Sequence, residues 1–352
     1  MGTSEQRIQA FVKLGEFLRA FGRYKLGETS PPEMHKSFAE LDTVVTMAGH
    51  KNGWFTEDNL LFSFSAWGKV LTLDGINNWL TSYTLKNKPS KHVAIIMAGN
   101  IPLVGFHDLL AVVLTGNKSL IKPSSNDPDL LPFFINLLET FEPALKGSMI
   151  IAKGTLSNFD AVIATGSNNT ARYFEYYFGH KPNIIRKNRN SIAILTGSES
   201  KEQLNDLGED IFRYFGLGCR SVSKIFVPQG YNFDLFFKAI ESYSFLKDHH
   251  KYHNNYDYNK AVYLMSEFPF LDNNFFMLKE DENYASPIGT VFYEQYESLD
   301  RLLAKLKKEK DQIQCVVSQG VVDNEIPFGS TQSPLLTDYA DGVDTVEFLL
   351  KT

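Results

Sequence analysis

Short apolar runs alternate with stretches of helical pattern between residues 91 and 190, and this alternation limits the possible folds more than any other feature of the sequence. A continuous apolar run is typical of a strand that is buried on both faces of a parallel sheet. Parallel strands are joined by crossover helices, and the observed alternation provides them. The sequence therefore predicts a doubly wound α/β unit. Its predicted strands cover residues 93–98, 119–122, 149–152 and 161–164, and its predicted helices cover 106–114, 129–139 and a stretch within 166–178.

The segments on either side of this unit carry different patterns. Residues 5 to about 85 have apolar side chains at helical spacing, which predicts several helices. After residue 190, the apolar runs 222–228 and 313–317 predict further strands. At 39.9 kDa the chain is long enough for two domains.

Composition and charge exclude several classes of protein. The formal net charge is −6 and the sequence pI is about 5.8, so we expect no basic surface for nucleic acid. No stretch reaches the roughly 18 apolar residues of a membrane span, and residues 1–9 lack the apolar segment of a signal peptide. Neither of the two cysteines lies in a zinc-binding pattern, so we expect no metal site and a reducing, cytoplasmic compartment.

Cys219 is the strongest candidate for a reactive residue. It follows Gly216 and Gly218, where backbone can approach a ligand closely, and it precedes the predicted strand at 222–228. A thiol in a fixed loop, with backbone N–H groups nearby, suits a nucleophile. The positive charge of Arg220 favours the thiolate. On the local sequence, the alternative of a small buried side chain beside a turn stays open.

A second candidate site follows the strand predicted at 161–164. The loop Thr165-Gly166-Ser167 would direct backbone N–H groups and a helix dipole towards an anion such as a nucleotide phosphate. It lacks the Gly-x-Gly-x-x-Gly fingerprint, and a plain turn in which Ser167 caps the helix is an equal alternative. Lys122 ends another predicted strand, where ligands of open α/β sheets gather. For Lys122, a contact with phosphate or ribose and a solvated surface position both stay open.

Several motifs then follow one another in a recognisable order. They are Ala98-Gly99-Asn100-Ile101-Pro102, Ile121-Lys122-Pro123-Ser124, Thr165-Gly166-Ser167, the Cys219 loop with Ser223-Lys224-Ile225-Phe226-Val227, Pro327-Phe328-Gly329-Ser330-Thr331-Gln332, and residues 338–345. Together they resemble the aldehyde dehydrogenase superfamily and, more closely, the LuxC-like acyl-CoA reductases. The likeness covers the chain from about residue 50 to its end.

This resemblance implies an α/β, aldehyde-dehydrogenase-like fold, in which a doubly wound parallel-sheet cofactor domain accompanies a smaller α/β catalytic domain. We predict a helical N-terminal segment and dinucleotide-binding domain over 1–190 and a thiol-bearing catalytic domain over 191–325. Residues 326–352 are predicted to return to the cofactor domain or to an interface.

The resemblance also implies a covalent mechanism. Cys219 matches the nucleophile of the superfamily, and Asn100 matches the asparagine whose amide joins the cysteine N–H in the oxyanion hole. Hydrolytic aldehyde dehydrogenases carry an activating glutamate where this chain has residues 186–191, which include no carboxylate. Without that base an acyl-cysteine would hydrolyse slowly. This favours reduction of a fatty acyl-CoA to a fatty aldehyde, with the acyl group arriving as a coenzyme A thioester or from a partner acyl-protein synthetase.

A nicotinamide cofactor is the third implication of the resemblance. The matching residues are Lys122 and Ser124 at the adenosine ribose, and Thr165, Gly166 and Ser167 at the pyrophosphate. The superfamily often has a glutamate just after the ribose element, but this chain has no acid there before Asp127. Without a carboxylate to repel a ribose 2′-phosphate, NADPH is favoured over NADH. Residues 284–289 also lack the carboxylate that often holds the nicotinamide ribose.

Other interpretations stay open. One alternative is an aldehyde dehydrogenase-type oxidoreductase acting on a short-chain aldehyde, and another is an acyl-accepting scaffold that does not reduce. His107 is a candidate proton donor, although a structural histidine is the favoured interpretation. Cys315 lies in an apolar run, which predicts a buried thiol. His249, His250 and His253 lack a partner ligand set, so we expect no metal there. From the superfamily we expect a homo-oligomer.

Overall fold

The protein forms two compact units in a computed structural model. The structure describes residues 1–28, 34–85 and 88–352. The first unit consists of Met1–Lys187 and Leu335–Thr352, and the second consists of Asn188–Pro334.

The two units divide at positions that differ from the predicted boundaries. The sequence predicts boundaries at 190 and 325, whereas the units divide at 187 and 334. Residues 326–334 therefore lie in the second unit instead of in the C-terminal segment. They are held there because the buried carboxylate of Asp210 accepts hydrogen bonds from the backbone of Gly329 and Thr331.

The first unit is built on a sheet of five parallel strands. These are β1 (His92–Ile96), β2 (Lys118–Lys122), β3 (Met149–Ile151), β4 (Ala161–Thr165) and β5 (Asn183–Arg186). Their order is β3-β2-β1-β4-β5, so the winding reverses between β1 and β4 and the doubly wound fold is confirmed. Most residues of β1 and β4 are buried, which explains their continuous apolar runs. The short strand β5 was not predicted.

Helices cover both the N-terminal part and the crossovers of the first unit. They are α1 (Ser4–Lys25), α2 (His35–Lys51), α3 (Glu57–Val70), α4 (Leu73–Leu80), α5 (Phe106–Leu114), α6 (Leu130–Phe141) and α7 (Asn168–Phe178). The first four confirm the helical prediction for residues 5–85. α1 begins with a capping box, in which Thr3 Oγ1 accepts from Gln6 N–H and Gln6 Oε1 accepts from Thr3 N–H. α5 is apolar on nearly every side because it packs against both the sheet and the N-terminal helices.

The second unit contains a six-stranded sheet. Its strands are β6 (Asn190–Ile194), β7 (Val222–Pro228), β8 (Phe270–Asp272), β9 (Met277–Glu280), β10 (Thr290–Tyr296) and β11 (Ile313–Val317). The order is β11-β6-β7-β10-β9-β8, and every pairing is parallel except that of β8 with β9. The strands predicted at 222–228 and 313–317 are confirmed. The helices are α8 (Lys201–Phe212), α9 (Asp234–Ala239), α10 (His250–Met265) and α11 (Leu299–Lys308).

The C-terminal residues 335–352 belong to the first unit and pack against its N-terminal helices and α5. Their helix, α12 (Thr345–Lys351), packs against α5. Trp79 Nε1 donates a hydrogen bond to Tyr339 Oη at 2.7 Å, and Tyr83 Oη donates to Asp344 Oδ2 at 2.6 Å. Across the described ranges, no helix combines the length and the apolar character needed to cross a membrane.

Candidate active site

Cys219 is exposed in the loop that joins α8 to β7. Ahead of it, Tyr214, Phe215 and Gly216 take successive left-handed backbone conformations, with φ of 55°, 57° and 75°. This conformation costs a residue with a side chain about 1–2 kcal/mol. Burial of both aromatic rings offsets the strain, as does the stacking of Phe215 on His249 with ring centroids 4.2 Å apart. The strained turn precedes Cys219, which lies three residues before the start of β7.

Hydrogen bonds tie the cysteine loop to two other parts of the second unit. Ser191 Oγ, in β6, donates to the carbonyl oxygen of Cys219 at 2.9 Å. Gln332 Nε2 donates to Ser221 Oγ at 3.2 Å. Such support fixes the position of a side chain in the way that a nucleophile requires. The local sequence does not single out Ser191 and Gln332, because contacts between residues far apart in the chain leave no local signal.

Arg220, the neighbour of Cys219 in the chain, belongs to a larger network. Its Nε donates to the carbonyl oxygen of Thr331. Thr331 in turn donates to Asp210 Oδ1, from its N–H at 2.9 Å and from its hydroxyl at 2.8 Å. Asp210 lies in α8 and is fully buried. Burial raises the pKa of Asp210 to about 6, although the hydrogen bonds from Thr331 and Gly329 oppose this effect.

The predicted cofactor residues lie at one edge of the sheet in the first unit. Lys122 ends β2, Thr165 ends β4, and Asn100 follows β1, which lies between those two strands. The carboxyl ends of these parallel strands meet at the same edge, where open α/β sheets bind ligands. The structure thus brings Asn100, Lys122, Ser124 and the Thr165 loop to one edge, whereas Cys219 belongs to the second unit.

The turn after β1 packs tightly against the residues that follow β2. A Cβ on Gly99 would lie 2.5 Å from Ser124 Oγ and 2.6 Å from Ser124 Cβ, so this position requires glycine. Ser124 Oγ also accepts from the N–H of Asn126 at 3.2 Å. Lys122 is exposed, and its Nζ lies 3.3 Å from the carbonyl oxygen of Gly154. Binding of a nucleotide by Lys122 and Ser124 at this edge stays a prediction.

The loop between β4 and α7 has the geometry of a helix cap. Ser167 Oγ accepts from the N–H of Thr170 at 3.2 Å, so Ser167 caps α7. A Cβ on Gly166 would lie 3.0 Å from the side chain of Thr170, so the loop backbone runs close to the helix. Binding of a phosphate at Thr165, Gly166 and Ser167 stays a prediction.

The first acid after Ser124 in the chain is Asp127. Burial raises the pKa of Asp127 to about 6, and the backbone N–H groups of Leu103 and Leu130 oppose this effect. Asp127 therefore lies between the turn after β1 and the start of α6. Residues 124–126, which carry no carboxylate, remain beside Lys122 at the sheet edge.

Two histidines named as candidates from the sequence make contacts that are typical of structural residues. His107 Nε2 lies 2.9 Å from the carbonyl oxygen of Leu336 and packs on the ring of Trp79, and burial lowers its pKa. These contacts favour a structural role. His249 Nδ1 accepts from the N–H of Tyr252 and so caps α10. In the described parts of the chain, no three or more His, Cys, Asp or Glu side chains form a metal-binding group.

The fold of the two units is that of the aldehyde dehydrogenases. A putative aldehyde dehydrogenase from Burkholderia cenocepacia matches with a TM-score of 0.63, over 91% of this chain and 76% of that chain, at 10% identity. The NAD⁺ complex of an aldehyde dehydrogenase from Bacillus cereus matches with a TM-score of 0.61, over 90% and 72% of the two chains, at 13% identity. At this identity the likeness shows the fold alone, and it confirms the predicted fold class.

The profile of the family described as acyl-CoA reductase (LuxC) matches residues 58–240, more than half of the chain. This chain therefore belongs to the acyl-CoA reductase (LuxC) family, and the resemblance found in the sequence is confirmed. A relative from Aliivibrio fischeri, named long-chain acyl-protein thioester reductase, is 25% identical over 201 residues. That match covers 52% of this chain and 41% of the relative, which is less than half of the relative's length.

Proposed function

We propose that this chain reduces an acyl thioester to an aldehyde through an acyl intermediate on Cys219. The observation that carries the proposal is the exposed Cys219 in a strained, hydrogen-bonded loop of a LuxC-family chain. The Aliivibrio fischeri relative is named for the reduction of a long-chain acyl-protein thioester, which supports the same kind of chemistry here.

The proposed reaction has two steps at the acyl carbon. First, the Cys219 thiolate attacks the thioester carbonyl, a new C–S bond forms, and the donor thiol leaves. The backbone N–H of Cys219 and the side-chain amide of Asn100 are proposed to stabilise the oxyanion, and loss of one such donor typically costs about 10²–10³ in rate. Second, hydride adds to the acyl carbon. The resulting alkoxide re-forms a carbonyl while the C–S bond breaks, which releases the aldehyde and returns the Cys219 thiolate.

A bound nicotinamide cofactor would supply the hydride. The residues proposed to hold it are Lys122 and Ser124 at the ribose, and Thr165, Gly166 and Ser167 at the pyrophosphate. NADPH is proposed over NADH because residues 124–126 present no carboxylate to repel a 2′-phosphate. The solved NAD⁺ complex of the Bacillus cereus protein supports a nicotinamide cofactor in general terms.

The acyl donor is proposed to be a fatty acyl-CoA, or a fatty acyl group handed over by a partner acyl-protein synthetase. Both donors present the same thioester carbonyl to Cys219. The absence of a carboxylate between residues 186 and 191 favours reduction over hydrolysis of the acyl-cysteine. A homo-oligomeric state and a cytoplasmic location stay predictions.

The test measures NADPH oxidation by the full chain with tetradecanoyl-CoA, beside the variants Cys219→Ala and Cys315→Ala. Cys315 is the matched control because its thiol is buried in β11. We expect oxidation that requires the acyl-CoA, disappears in Cys219→Ala and persists in Cys315→Ala. Replacement of NADPH by NADH tests the cofactor preference in the same assay.

Mass spectrometry of the same samples separates the alternatives. An acyl adduct on Cys219 without oxidation of either cofactor would support an acyl-accepting scaffold, or a reduction step that needs a partner protein. Turnover with short-chain aldehydes and none with acyl-CoA would support the aldehyde-oxidising alternative. Absence of both adduct and turnover would overturn the acyl-transfer mechanism.

A further inference from the structure

We infer that Asp210 is a positioning residue for the nucleophile, acting on the cysteine loop through Thr331 and Arg220. The inference rests on the proposed role of Cys219, and it adds residues that the mechanism above does not use. It concerns residues 329–332, here called the clasp, which lie in the second unit together with α8 and the cysteine loop.

The carboxylate of Asp210 binds the clasp to α8. Asp210 accepts from Gly329 N–H at 2.7 Å, from Thr331 N–H at 2.9 Å and from the Thr331 hydroxyl at 2.8 Å. Asp210 and Thr331 are both fully buried. Gly329 has φ +80, a conformation that disfavours residues with side chains, and a Cβ there would lie 3.1 Å from Asp206 Cβ. The clasp is therefore built around the carboxylate.

The other side of the clasp holds the cysteine loop. Arg220 Nε donates to Thr331 O, and Gln332 Nε2 donates to Ser221 Oγ. The two residues that follow Cys219 are thus both bound by the clasp. Because α8 leads directly into the cysteine loop, these contacts close a ring from Asp210 through Thr331 and Arg220 back to Cys219.

The ring explains why a carboxylate occupies this buried position. A buried charge costs free energy unless it is hydrogen-bonded, and a neutral apolar side chain would avoid that cost. Three charge-assisted hydrogen bonds recover part of the cost and fix the geometry of the clasp. These hydrogen bonds fix the position of the Thr331 carbonyl, which accepts a hydrogen bond from Arg220 and so orients its guanidinium. Arg220 directly follows Cys219 in the chain, and a cation near a cysteine favours the thiolate, the form that attacks a carbonyl.

The test measures how fast iodoacetamide alkylates Cys219 as pH is varied, with mass spectrometry resolving Cys219 from Cys315. No acyl donor or cofactor is needed, so failure of this inference is distinct from failure of the proposed reduction. The variants are Asp210→Asn and Thr331→Val, with Thr331→Ser as the conservative variant that keeps the hydroxyl donor. Glu209→Gln is the matched control, because Glu209 lies beside Asp210 in α8 but pairs with Arg213.

We expect Asp210→Asn to raise the apparent pKa of the Cys219 thiol and to slow alkylation at neutral pH by about tenfold for each unit of the shift. Thr331→Val should shift the pKa in the same direction by less, whereas Thr331→Ser and Glu209→Gln should keep the wild-type profile. Continued protection of the buried Cys315 reports that each variant is folded. If Asp210→Asn does not fold, the pH profile of Cys219 alkylation in Thr331→Val tests the inference. A wild-type profile in a folded Asp210→Asn, or in Thr331→Val where that variant decides, overturns the inference.

Discussion

Asp108 and Arg186 form a buried, bidentate ion pair in the first unit. Arg186 Nη1 donates to Asp108 Oδ2 at 2.5 Å, and Arg186 Nη2 donates to Asp108 Oδ1 at 2.8 Å. Arg186 Nη2 also donates to Thr345 Oγ1 at 3.1 Å. The pair therefore joins the end of β5 to α5 and to the start of α12. Arg186 opens the stretch in which the sequence analysis found no hydrolytic carboxylate, and its side chain is committed to structure.

Removal of this ion pair should destabilise the protein strongly. Arg186→Gln leaves Asp108 buried without its charged partner, and breaking a buried pair in this way costs about 3–5 kcal/mol. The matched control is Lys187→Gln, which breaks the exposed pair of Lys187 with Glu175 at a cost of about 0–1 kcal/mol. The side chains of Arg186 and Asp108 are 7% and 6% exposed, against 55% and 49% in the control pair. Urea unfolding followed by circular dichroism measures both costs, and equal costs would contradict the prediction.

Gly99 should be essential to the sheet edge that is proposed to hold the cofactor. In Gly99→Ala the new methyl group meets the side chain of Ser124, and overpacking of this kind costs about 1–3 kcal/mol. We expect a lower Tm and a larger Kd for NADPH, measured by thermal unfolding and by the quenching of protein fluorescence. Gly22→Ala in α1 is the control, because among the described residues no heavy atom lies within 4 Å of a Cβ there, apart from its chain neighbours and the backbone of its own helix. A Gly99→Ala protein with the Tm of the wild type would count against the close packing.

Gly216 and Gly230 offer a matched pair of substitutions with different expected effects on the nucleophile. Both have φ +75, so Gly216→Ala and Gly230→Ala should each cost stability of about 1 kcal/mol through backbone strain. Gly216 lies in the strained turn that leads to Cys219, whereas Gly230 follows β7 at its opposite end. We expect only Gly216→Ala to slow the alkylation of Cys219. Equal alkylation rates in the two variants would show that the turn does not position the thiol.

Asp210 should make the stability of the protein fall as pH rises through the weakly acidic range. Its pKa is raised to about 6 in the folded state by burial, against an ordinary value of about 3.9 in an unfolded chain. The folded state therefore binds the proton more tightly. The stabilisation from protonated Asp210 is complete below about pH 4 and is lost as pH rises through about 6.

In that range the contribution of Asp210 to the free energy of unfolding should decrease by up to about 1.4 kcal/mol per pH unit. Asp210→Asn does not titrate, so its stability should depend less on pH than that of the wild type. Urea denaturation at a series of pH values compares the slopes. Asp127, whose pKa is also raised to about 6, still titrates in this variant and contributes a background of the same sign. Identical slopes in variant and wild type would refute the prediction.

Much of the fold follows from local sequence. The strands β1, β4, β7 and β11 can be recognised in the sequence as apolar runs, because a strand buried on both faces needs continuous apolar residues. The glycine-flanked loop of Cys219 is a local signal of the same kind, and Cys219 is exposed in the structure. The order of the motifs also indicates the LuxC family, whose profile matches residues 58–240.

Only the tertiary structure decided which distant residues support the site. Asp210, Thr331 and Ser191 carry no local pattern that distinguishes them from other polar residues, because their importance lies in hydrogen bonds across the chain. The boundary at 334 escaped prediction for the same reason, since residues 329–332 are fixed by a carboxylate in α8. Local propensity and apolar pattern act over a few residues and therefore determine elements. Burial and hydrogen bonding act between elements, and a single sequence does not reveal their partners.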